Sequence, residues 1–407
     1  MNRRTLKKLD SELTEFLDEM FVGMGRRERR ESMRAYVAGL LLDGERKSIV
    51  PMAARLVDDE SEVQAMRQRL QECVTISPWP ESEAWRRLAI RVDREMPGIE
   101  AFVIDDTGFP KKGKHSVGVQ RQYSGTLGRI DNCQIAVSTH LVGEQGSACV
   151  GMDLYLPESW ASDEARRKKA GVPEEVKFQE KWRTALAQLD RARDAGVGKH
   201  VVLADAGYGD ITDFRDGLAE RGLLYVVGIN SVIAVWPPEA NLKLPATPKT
   251  GRPPTRVRDN KHPPVQVGKL ASKLRFKTVR WREGSRGWQS SRFAAVRVHT
   301  AHRHGVGAAP GPRQWLLVEW PEGEKAPTKY WLSSLPEGTS IHTLVRLAKL
   351  RWRVERDYQD MKGEVGLDHY EGRTWPGFQH HVALVGVAHA FLALRRALFP
   401  PDEMDAA

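Results

Sequence analysis

The sequence has few cysteines and no long apolar run. Its three cysteines, Cys73, Cys133 and Cys149, lie far apart in a chain of 407 residues. Because they form no C-x-x-C pair, they offer neither a zinc site nor a disulfide framework, and we interpret them as small buried side chains in a reducing cytosol. No stretch approaches the roughly 20 apolar residues that a membrane span needs, and the polar N-terminus lacks the apolar segment of a signal peptide. We therefore expect a soluble, cytoplasmic protein with no membrane partner.

The composition is basic but still rich in acids. The chain has 63 Lys and Arg against 53 Asp and Glu, which gives a formal net charge of +10. That balance suits a protein that binds a polyanion and keeps selected carboxylates for chemistry. Since many basic enzymes bind no nucleic acid, charge alone does not decide between these classes. The length allows two or three domains, each with a core of its own.

Apolar positions recur at helical spacing through residues 1–95, which predicts an N-terminal helical domain. Basic side chains are frequent there, namely Arg26, Arg27, Arg29, Arg30 and Lys47. Two interpretations stay open from this segment alone: charged helix faces in solvent, or a domain that contacts DNA.

Strands and helices alternate after residue 96. The apolar run AFVIDD predicts a strand that ends in acids, and two more strands follow as a hairpin turned between Gly143 and Gly146. An amphipathic helix closed by Gly196 comes next, then a strand, a helix and another strand. This order is typical of a ribonuclease-H-like domain, an α/β fold with a mixed sheet flanked by helices.

An inserted β-rich unit interrupts that order. It begins with a proline-rich basic arm and continues with three stretches that alternate like antiparallel strands. The main domain then resumes with a long helix, opened by Ser340 and ended near Gly366, and with a final apolar helix. We predict the ribonuclease-H-like domain over 96–229 and 326–395, the insertion over 230–325 and a flexible tail over 396–407.

Four acids stand where a metal site could form. Asp105 and Asp106 end the first predicted strand, Asp205 follows the strand VVLA, and Glu355 lies inside the long helix. Each alone could be a turn acid, a helix cap or an exposed helical acid. Together, strand-end aspartates and a helical glutamate can meet at one edge of such a sheet. Alternate strand residues face opposite sides, so only one of Asp105 and Asp106 is expected to be a ligand, and alternation alone leaves open which one.

Three carboxylates at one edge would resist ionising unless divalent cations offset their charge. Hard oxygen ligands of this kind suit Mg²⁺ or Mn²⁺. Two such ions can promote in-line attack on a phosphodiester, so the acids point to a nuclease or a related phosphoryl-transfer enzyme.

Cations and aromatic residues flank the predicted acids. Arg351 and Lys362 share one side of the predicted helix with Glu355, and such a face would hold metal and neighbouring phosphates. Trp352 and Tyr358 could stack on bases, although core packing is the commoner role for such a tryptophan. The loop after the first acids is either a DNA contact or simply solvated; it contains Lys111, Lys112 and Lys114.

These motifs resemble those of the DDE-type insertion-sequence transposases, within the retroviral-integrase superfamily. The family's D-x-T pattern is matched by Asp105-Asp106-Thr107, and its D-x-G-Y pattern by Asp205-Ala206-Gly207-Tyr208. One cut-and-paste branch has a β-rich insertion followed by Y-x2-R-x3-E-x6-K. That motif is matched by Arg351, Glu355 and Lys362, with Ala348 in the tyrosine position. The resemblance covers about residues 100–390.

The resemblance implies that Asp105, Asp205 and Glu355 hold two Mg²⁺ or Mn²⁺ ions. It implies a protein that binds terminal inverted repeats through its N-terminal helices, cuts the element ends and joins the 3′-hydroxyl to target DNA. A homodimer in the bacterial cytoplasm, bound to the nucleoid, would be the active form. Because Ala348 departs from the motif, the way in which the DNA end is held stays open.

Two alternatives to transposition stay open at this point. One is a metal-dependent nuclease or resolvase on the same core. The other is a DNA-binding or regulatory protein that no longer uses its chemistry, although the three acids, Arg351 and Lys362 argue against it.

Overall fold

The computed structural model describes residues 3–243, 257–284, 287–301 and 310–399. The chain divides into two compact units, the first formed by residues 1–199 and 352–407 and the second by residues 200–351. Part of the predicted proline-rich arm, residues 244–256, and most of the predicted tail, residues 400–407, lie outside the described residues. The functional domain bounds expected from the sequence stay a prediction.

The first unit begins with helices and continues with strands. Its helices before residue 200 are α1 (Arg3–Phe21), α2 (Arg27–Leu41), α3 (Ile49–Leu56), α4 (Val63–Thr75), α5 (Glu81–Glu95), α6 (Glu158–Ala161), α7 (Glu164–Ala170) and α8 (Lys181–Asp194). Its strands are β1 (Ile99–Pro110), β2 (Gln120–Ser124), β3 (Arg129–Gly143) and β4 (Ser147–Leu154).

The second unit contains all the other strands of the described residues. These are β5 (Val201–Ala204), β6 (Tyr225–Ile229), β7 (Ala234–Trp236), β8 (Val265–Gln266), β9 (Lys277–Gly284), β10 (Gly287–Thr300), β11 (Gln314–Trp320) and β12 (Lys329–Ser333). Its helices are α9 (Ala206–Gly209), α10 (Thr212–Glu220), α11 (Val267–Ala271) and α12 (Ile341–Leu350). The chain then returns to the first unit in α13 (Trp352–Gly363) and α14 (Trp375–Leu398).

The strands of the first unit are antiparallel and centred on β3. Strand β1 pairs with one side of β3, and β2 and β4 pair with the other side. The hairpin from β3 to β4 turns as predicted, with the Gly143 amide donating to the Gly146 carbonyl at 2.9 Å. Because β3 is long, it offers partners to β1 well past the two aspartates, as far as Pro110. The expectation that Asp105 and Asp106 end their strand is therefore wrong, since they lie in its middle.

Helix α14 is the core helix of the first unit. It packs against β4 and against α2, α4, α5 and α13. Its first turn is capped by Thr374, whose Oγ1 accepts the Gly377 amide at 3.3 Å. By length and composition α14 could cross a membrane, which the sequence analysis did not anticipate, but 67% of its most apolar window is buried inside the fold. Such burial is what a core helix requires.

The second unit contains one continuous set of paired strands. Strands β5 and β6 are parallel, and β6 continues through antiparallel pairs to β12, β11 and β10. Strand β10 also pairs with β9 and β7, and β7 pairs with β8. The three predicted strands of the insertion are therefore present, and through β12 they extend the same sheet as β6.

The predicted fold class, a ribonuclease-H-like mixed sheet flanked by helices, is confirmed. The described cysteines are all free and buried, as predicted.

Two expectations are corrected. The long helix from Ser340 is interrupted at Arg351, which is the C-cap of α12, and Lys47, grouped with the surface cations, is buried. The Lys47 ammonium bonds the Leu42 carbonyl, which explains how a lysine is tolerated there.

Candidate active site

Asp105 and Asp106 face opposite sides of the first unit's sheet. Within β1, Asp105 lies opposite Ser138 and Asp106 lies opposite Val137 on β3. The Asp106 carboxylate forms an ion pair with Lys181 on α8. Oδ1 of Asp105 accepts the Asp106 amide at 2.9 Å. Because a strand alternates its side chains, Asp105 points away from the side on which α8 holds Asp106.

Helix α13 brings Tyr358 to the Asp105 side of the sheet. The Tyr358 hydroxyl lies 2.6 Å from Oγ of Ser138, the residue directly opposite Asp105. Two causes raise the pKa of Tyr358 well above its ordinary value: burial, which is the larger, and the negative charge of Asp105. Tyr358 is therefore a neutral hydroxyl beside the Asp105 carboxylate.

Glu355 precedes Tyr358 by almost one turn of the same helix. It lies in the first turn of α13, and its side chain is exposed. Residues three apart on a helix share a side. The contacts that fix Tyr358 against β3 therefore also fix the part of α13 that carries Glu355.

A buried polar network continues from Tyr358 into the core. Oγ of Ser138 lies 3.0 Å from Nε2 of His140, and Nδ1 of His140 lies 2.6 Å from the carboxylate of Asp357. Ser147 donates to the other Asp357 oxygen at 2.6 Å. Apart from the half-buried Tyr358, all of these side chains are buried. The network connects β3 and β4 to α13 through directed hydrogen bonds.

The electrostatics of this network favour an ion pair. Burial opposes a charged imidazole, but the neighbouring Cys149 and the Asp357 hydrogen bond outweigh it and raise the pKa of His140 to about 10. Burial would raise the pKa of Asp357, but the bonds from His140 and Ser147 lower it below its ordinary value. Burial lowers the pKa of His389, whose Nε2 is 3.9 Å from Asp357. A protonated His140 therefore faces an ionised Asp357, with His389 neutral.

Lys362 joins the far end of α13 to β1. Its ammonium donates to the Gly108 carbonyl at 3.2 Å and to Oγ1 of Thr126 at 3.1 Å. Burial lowers its pKa. Gly108 lies three residues beyond Asp105. The helix is thus attached to β3 through Tyr358, near its middle, and to β1 through Lys362, near its end.

The lysines of the loop after β1 differ in exposure. The Lys111 ammonium donates to the Tyr370 carbonyl at 2.8 Å, and burial lowers its pKa. Lys112 and Lys114 are exposed. A cavity of about 280 Å³ opens beside this loop, and both basic and acidic side chains line it. The basic ones are Arg46, Lys111, Lys112, His115 and Arg373, and the acidic ones are Asp368 and Glu371. The loop therefore presents a mostly basic surface.

Asp205 is a helix cap in the second unit. Its Oδ1 accepts the amides of Gly207 at 2.9 Å and Tyr208 at 3.4 Å, which starts α9 directly after β5. Glycine is required at position 209 for steric reasons, because a Cβ on Gly209 would lie 1.8 Å from the Gly228 carbonyl oxygen on β6. Asp205 therefore caps a helix, which was one of the roles considered for it from the sequence. Both capping hydrogen bonds go to the same carboxylate oxygen, Oδ1.

Arg351 and Trp352 lie at the break between α12 and α13. Arg351 ends α12 with helical dihedral angles, φ −55° and ψ −22°. Trp352 begins α13, and the Arg353 guanidinium lies 4.8 Å from the centre of its ring. Since the helix is interrupted between Arg351 and Glu355, their spacing in sequence no longer establishes a shared helix face.

The donor chemistry of these residues fits divalent cations. Carboxylate oxygens are the hard ligands that Mg²⁺ and Mn²⁺ prefer. Among the described residues, no group of three or more His, Cys, Asp or Glu side chains is gathered closely enough to hold a metal ion. Asp105 and Glu355 belong to the first unit and Asp205 to the second. Their joint action stays a prediction.

A mixed sheet with aspartates on its strands and a glutamate on a later helix is the architecture of ribonuclease-H-like nucleases. The sequence profile of the family described as "DDE superfamily endonuclease" matches residues 19–288. The match covers well over half of the chain, so the protein belongs to this superfamily, whose endonucleases use divalent metal ions. It includes Asp105, Asp106 and Asp205 and ends before Glu355.

The chain is also similar to a curated protein, "Probable transposase for insertion sequence element IS701" from Microchaete diplosiphon. The two are 30% identical over 206 residues, which is 49% of this chain and 49% of that protein. The aligned part thus spans about half the length of the relative.

The sequence analysis missed the buried network. Ser138, His140 and Asp357 were not selected, and Tyr358 was expected to stack or pack. A signal existed, because a histidine in the mainly apolar strand QIAVSTHLV needs a polar partner once it is buried. The partner is more than 200 residues away in sequence, at Asp357, so only the fold reveals it.

Proposed function

We propose that this protein is the transposase of an insertion sequence. It binds the terminal inverted repeats, cuts DNA at the element ends and joins the released 3′-hydroxyl to target DNA. Membership of the DDE endonuclease superfamily and the similarity to a probable transposase support this proposal. The observation that carries it is the attachment of α13, with Glu355, beside Asp105 through Tyr358 and Ser138.

Asp105, Asp205 and Glu355 are the proposed catalytic carboxylates, and they would hold two Mg²⁺ or Mn²⁺ ions. Bound in pairs, such ions supply activation of the attacking oxygen and stabilisation of the leaving oxygen. The protein's own contribution is to hold the carboxylates in place. For Asp105 and Glu355 the hydrogen bonds of Tyr358 and Lys362 support that role. Asp106, paired with Lys181, would support the strand.

The proposed DNA contacts are cations and one aromatic residue. Lys112 and Lys114 are exposed and suited to phosphates, and Arg351 and Trp352 stand near the start of α13. Lys111 and Lys362 each bond a backbone carbonyl. An ammonium has three donor hydrogens, so such a lysine can also hold a phosphate while it keeps its structural bond.

Three further assignments belong to the proposal. The helices within residues 1–95 would read the repeat sequence, and the strands within 230–325 would guide the cut end. A homodimer would be the active form, because two element ends must be cut together. The protein would act in the bacterial cytoplasm, on the nucleoid.

Replacement of Glu355 by Gln tests the proposal. On a plasmid that carries the element with its flanking DNA, Glu355→Gln should abolish Mg²⁺-dependent cleavage while binding of the ends persists. Glu364→Gln is the matched control, since Glu364 is an exposed acid just after α13 that pairs with Arg396. Cleavage by Glu355→Gln at the wild-type rate would remove Glu355 from the mechanism.

The products and the salt dependence separate the alternatives. A transposase yields joined donor and target DNA, whereas a plain nuclease yields only cuts. Phosphate contacts release counterions, so binding should weaken steeply as salt rises. Salt-independent binding would argue against the basic surfaces as DNA contacts, and the absence of joined products would leave a nuclease.

A further inference from the structure

Two large apolar side chains stand in solvent on the hairpin formed by β2 and β3. Tyr123 and Ile130 are directly opposite each other in the antiparallel pair, and they are 63% and 62% exposed. Directly opposed residues lie on the same face and in contact range. Leu127, in the turn between the two strands, is 37% exposed. The hairpin over residues 120–133 thus carries an apolar patch at its tip.

Basic groups border this patch. Arg121 is exposed. It precedes Tyr123 by two residues on β2, so the two side chains lie on the same face of the hairpin. On β3, Asn132 shares the face of Ile130, and its Nδ2 donates to the carbonyls of Lys111 at 2.5 Å and Gly113 at 2.9 Å. That contact holds the loop with the exposed Lys112 and Lys114 beside the patch. The nearby acid, Asp131, lies on the opposite face and is paired with Arg129.

The hairpin is fixed to the strand that carries Asp105. Oγ1 of Thr126 lies 3.3 Å from the Gly108 amide, and Lys362 donates to the same Oγ1 at 3.1 Å. A Cβ on Gly108 would lie 2.6 Å from Oγ of Ser124, so glycine permits this close approach. The hairpin is therefore held in place next to β1 and α13.

The same contacts bring the turn of the hairpin near Asp105. Thr126 meets β1 at Gly108, which lies three residues beyond Asp105 on that strand. At about 3.3 Å per residue, this point of contact is roughly 10 Å along β1 from Asp105. Since one DNA strand advances about 3.4 Å per nucleotide, that distance corresponds to roughly three nucleotides.

We infer that the β2–β3 hairpin is a DNA wedge: Tyr123 and Ile130 pack on a nucleobase of unpaired or distorted DNA, within a few nucleotides of the cut. Arg121 and the lysine loop hold the flanking phosphates. This inference rests on the proposed function, because it names the part of the DNA that the same unit grips. Stacking on an aromatic ring tolerates any base, and apolar wedges enter DNA where base steps open. The surrounding positive charge matches a polyanion.

Binding of two short duplexes that have one strand in common tests the wedge. In the first duplex the second strand is fully complementary, and in the second duplex it is mismatched over a few central bases, which form a bubble. The wild-type protein should bind the bubbled duplex more tightly. Tyr123→Ala should lower affinity for the bubble about tenfold, the loss of one stacked base, and leave affinity for the paired duplex nearly unchanged. Tyr123→Phe should keep the preference. Phe178→Ala, at another exposed aromatic side chain of this unit, is the matched control and should change neither affinity.

Arg121→Gln should weaken binding of both duplexes and reduce the slope of affinity against salt by about one. Wild-type protein that binds both duplexes equally, or a Tyr123→Ala variant that keeps the preference, would overturn the wedge and leave the proposed function intact. Wild-type protein that binds neither duplex would overturn both. Because Tyr123 is largely exposed, its replacement leaves the core unchanged, and circular dichroism with thermal unfolding checks that the variant folds.

Discussion

The imidazole of His140 and the carboxylate of Asp357 form a buried pair, 2.6 Å apart, that joins β3 to α13. Asp357 is followed on the helix by Tyr358, whose hydroxyl bonds Ser138 on the strand next to Asp105. The pair therefore holds the segment of helix that carries Glu355. A metal site needs carboxylates held within a fraction of an ångström, and buried hydrogen bonds behind the ligands provide that rigidity.

Removal of the Tyr358 hydroxyl should loosen this arrangement. Tyr358→Phe deletes one hydrogen bond and almost no volume, so unfolding free energy should fall by only about 1 kcal/mol. Loss of a group that orients a metal ligand commonly costs at least about tenfold in metal affinity. We expect the Mg²⁺ concentration for half-maximal cleavage to rise about tenfold, with Tyr155→Phe as the control. An unchanged Mg²⁺ requirement would show that Tyr358 serves packing alone.

Asp105 and Asp106 should respond differently to the same change. Asp105→Asn removes the proposed metal ligand and should abolish cleavage. Asp106→Asn breaks the partly exposed ion pair with Lys181, which should cost no more than about 1 kcal/mol of stability and preserve most of the cleavage. Cleavage of a plasmid substrate and thermal unfolding measure the two effects. The opposite pattern would assign the ligand to Asp106.

The His140–Asp357 pair predicts a particular dependence of stability on pH. The folded pKa of His140, about 10, lies above the ordinary 6.5, so its stabilisation is complete below about pH 6.5 and is lost as pH rises towards 10. The pKa of Asp357 is lowered, so its stabilisation is lost only as pH falls below the ordinary carboxyl range.

His140→Gln tests this dependence by denaturant unfolding at several pH values. It should cost about 3–5 kcal/mol near neutral pH, because it leaves a buried carboxylate without its charged partner. It should also flatten the fall in stability between neutral and alkaline pH. The exposed His342, replaced in the same way, should change neither quantity. Equal alkaline slopes in wild type and His140→Gln would contradict a charged His140.

Gly209 should tolerate no side chain. Gly209→Ala places a Cβ 1.8 Å from the Gly228 carbonyl oxygen, so α9 must move away from β6. Overpacking of this kind commonly costs about 1–3 kcal/mol. Because Asp205 caps α9, the displacement should also reduce cleavage. Gly338→Ala, which meets no atom within 4 Å, is the control. Full activity and stability of Gly209→Ala would mean that the α9 turn adapts without affecting Asp205.

The structure also limits which deletions are informative. Strand β11, within the predicted insertion, pairs with β12, and β12 pairs with β6. Deletion of residues 230–325 would therefore expose a sheet edge. Deletion of residues 1–95 would likewise uncover α14, which packs on α2, α4 and α5. Point substitutions at exposed side chains are the sharper tests of both segments.

Much of the architecture was predictable because it depends on local pattern. The β3–β4 hairpin, the helix closed by Gly196 and the strands around Asp205 follow from alternation, turn residues and caps that lie within a few positions of each other. The D-x-T and D-x-G-Y patterns were likewise visible, and the superfamily match covers both. The extension of β1 to Pro110 was not predicted, since pairing with β3 overrides the local signal. The break at Arg351 was not predicted either.

The sequence by itself determined the α/β class, the order of the elements and which acids to consider, because these depend on periodicity and short motifs. Only the tertiary structure decided which face each aspartate occupies, that Lys47 is buried, and that His140 meets Asp357. Those outcomes depend on contacts between residues up to a few hundred positions apart. Such contacts form when the chain buries its apolar surface and must then satisfy every polar group enclosed with it.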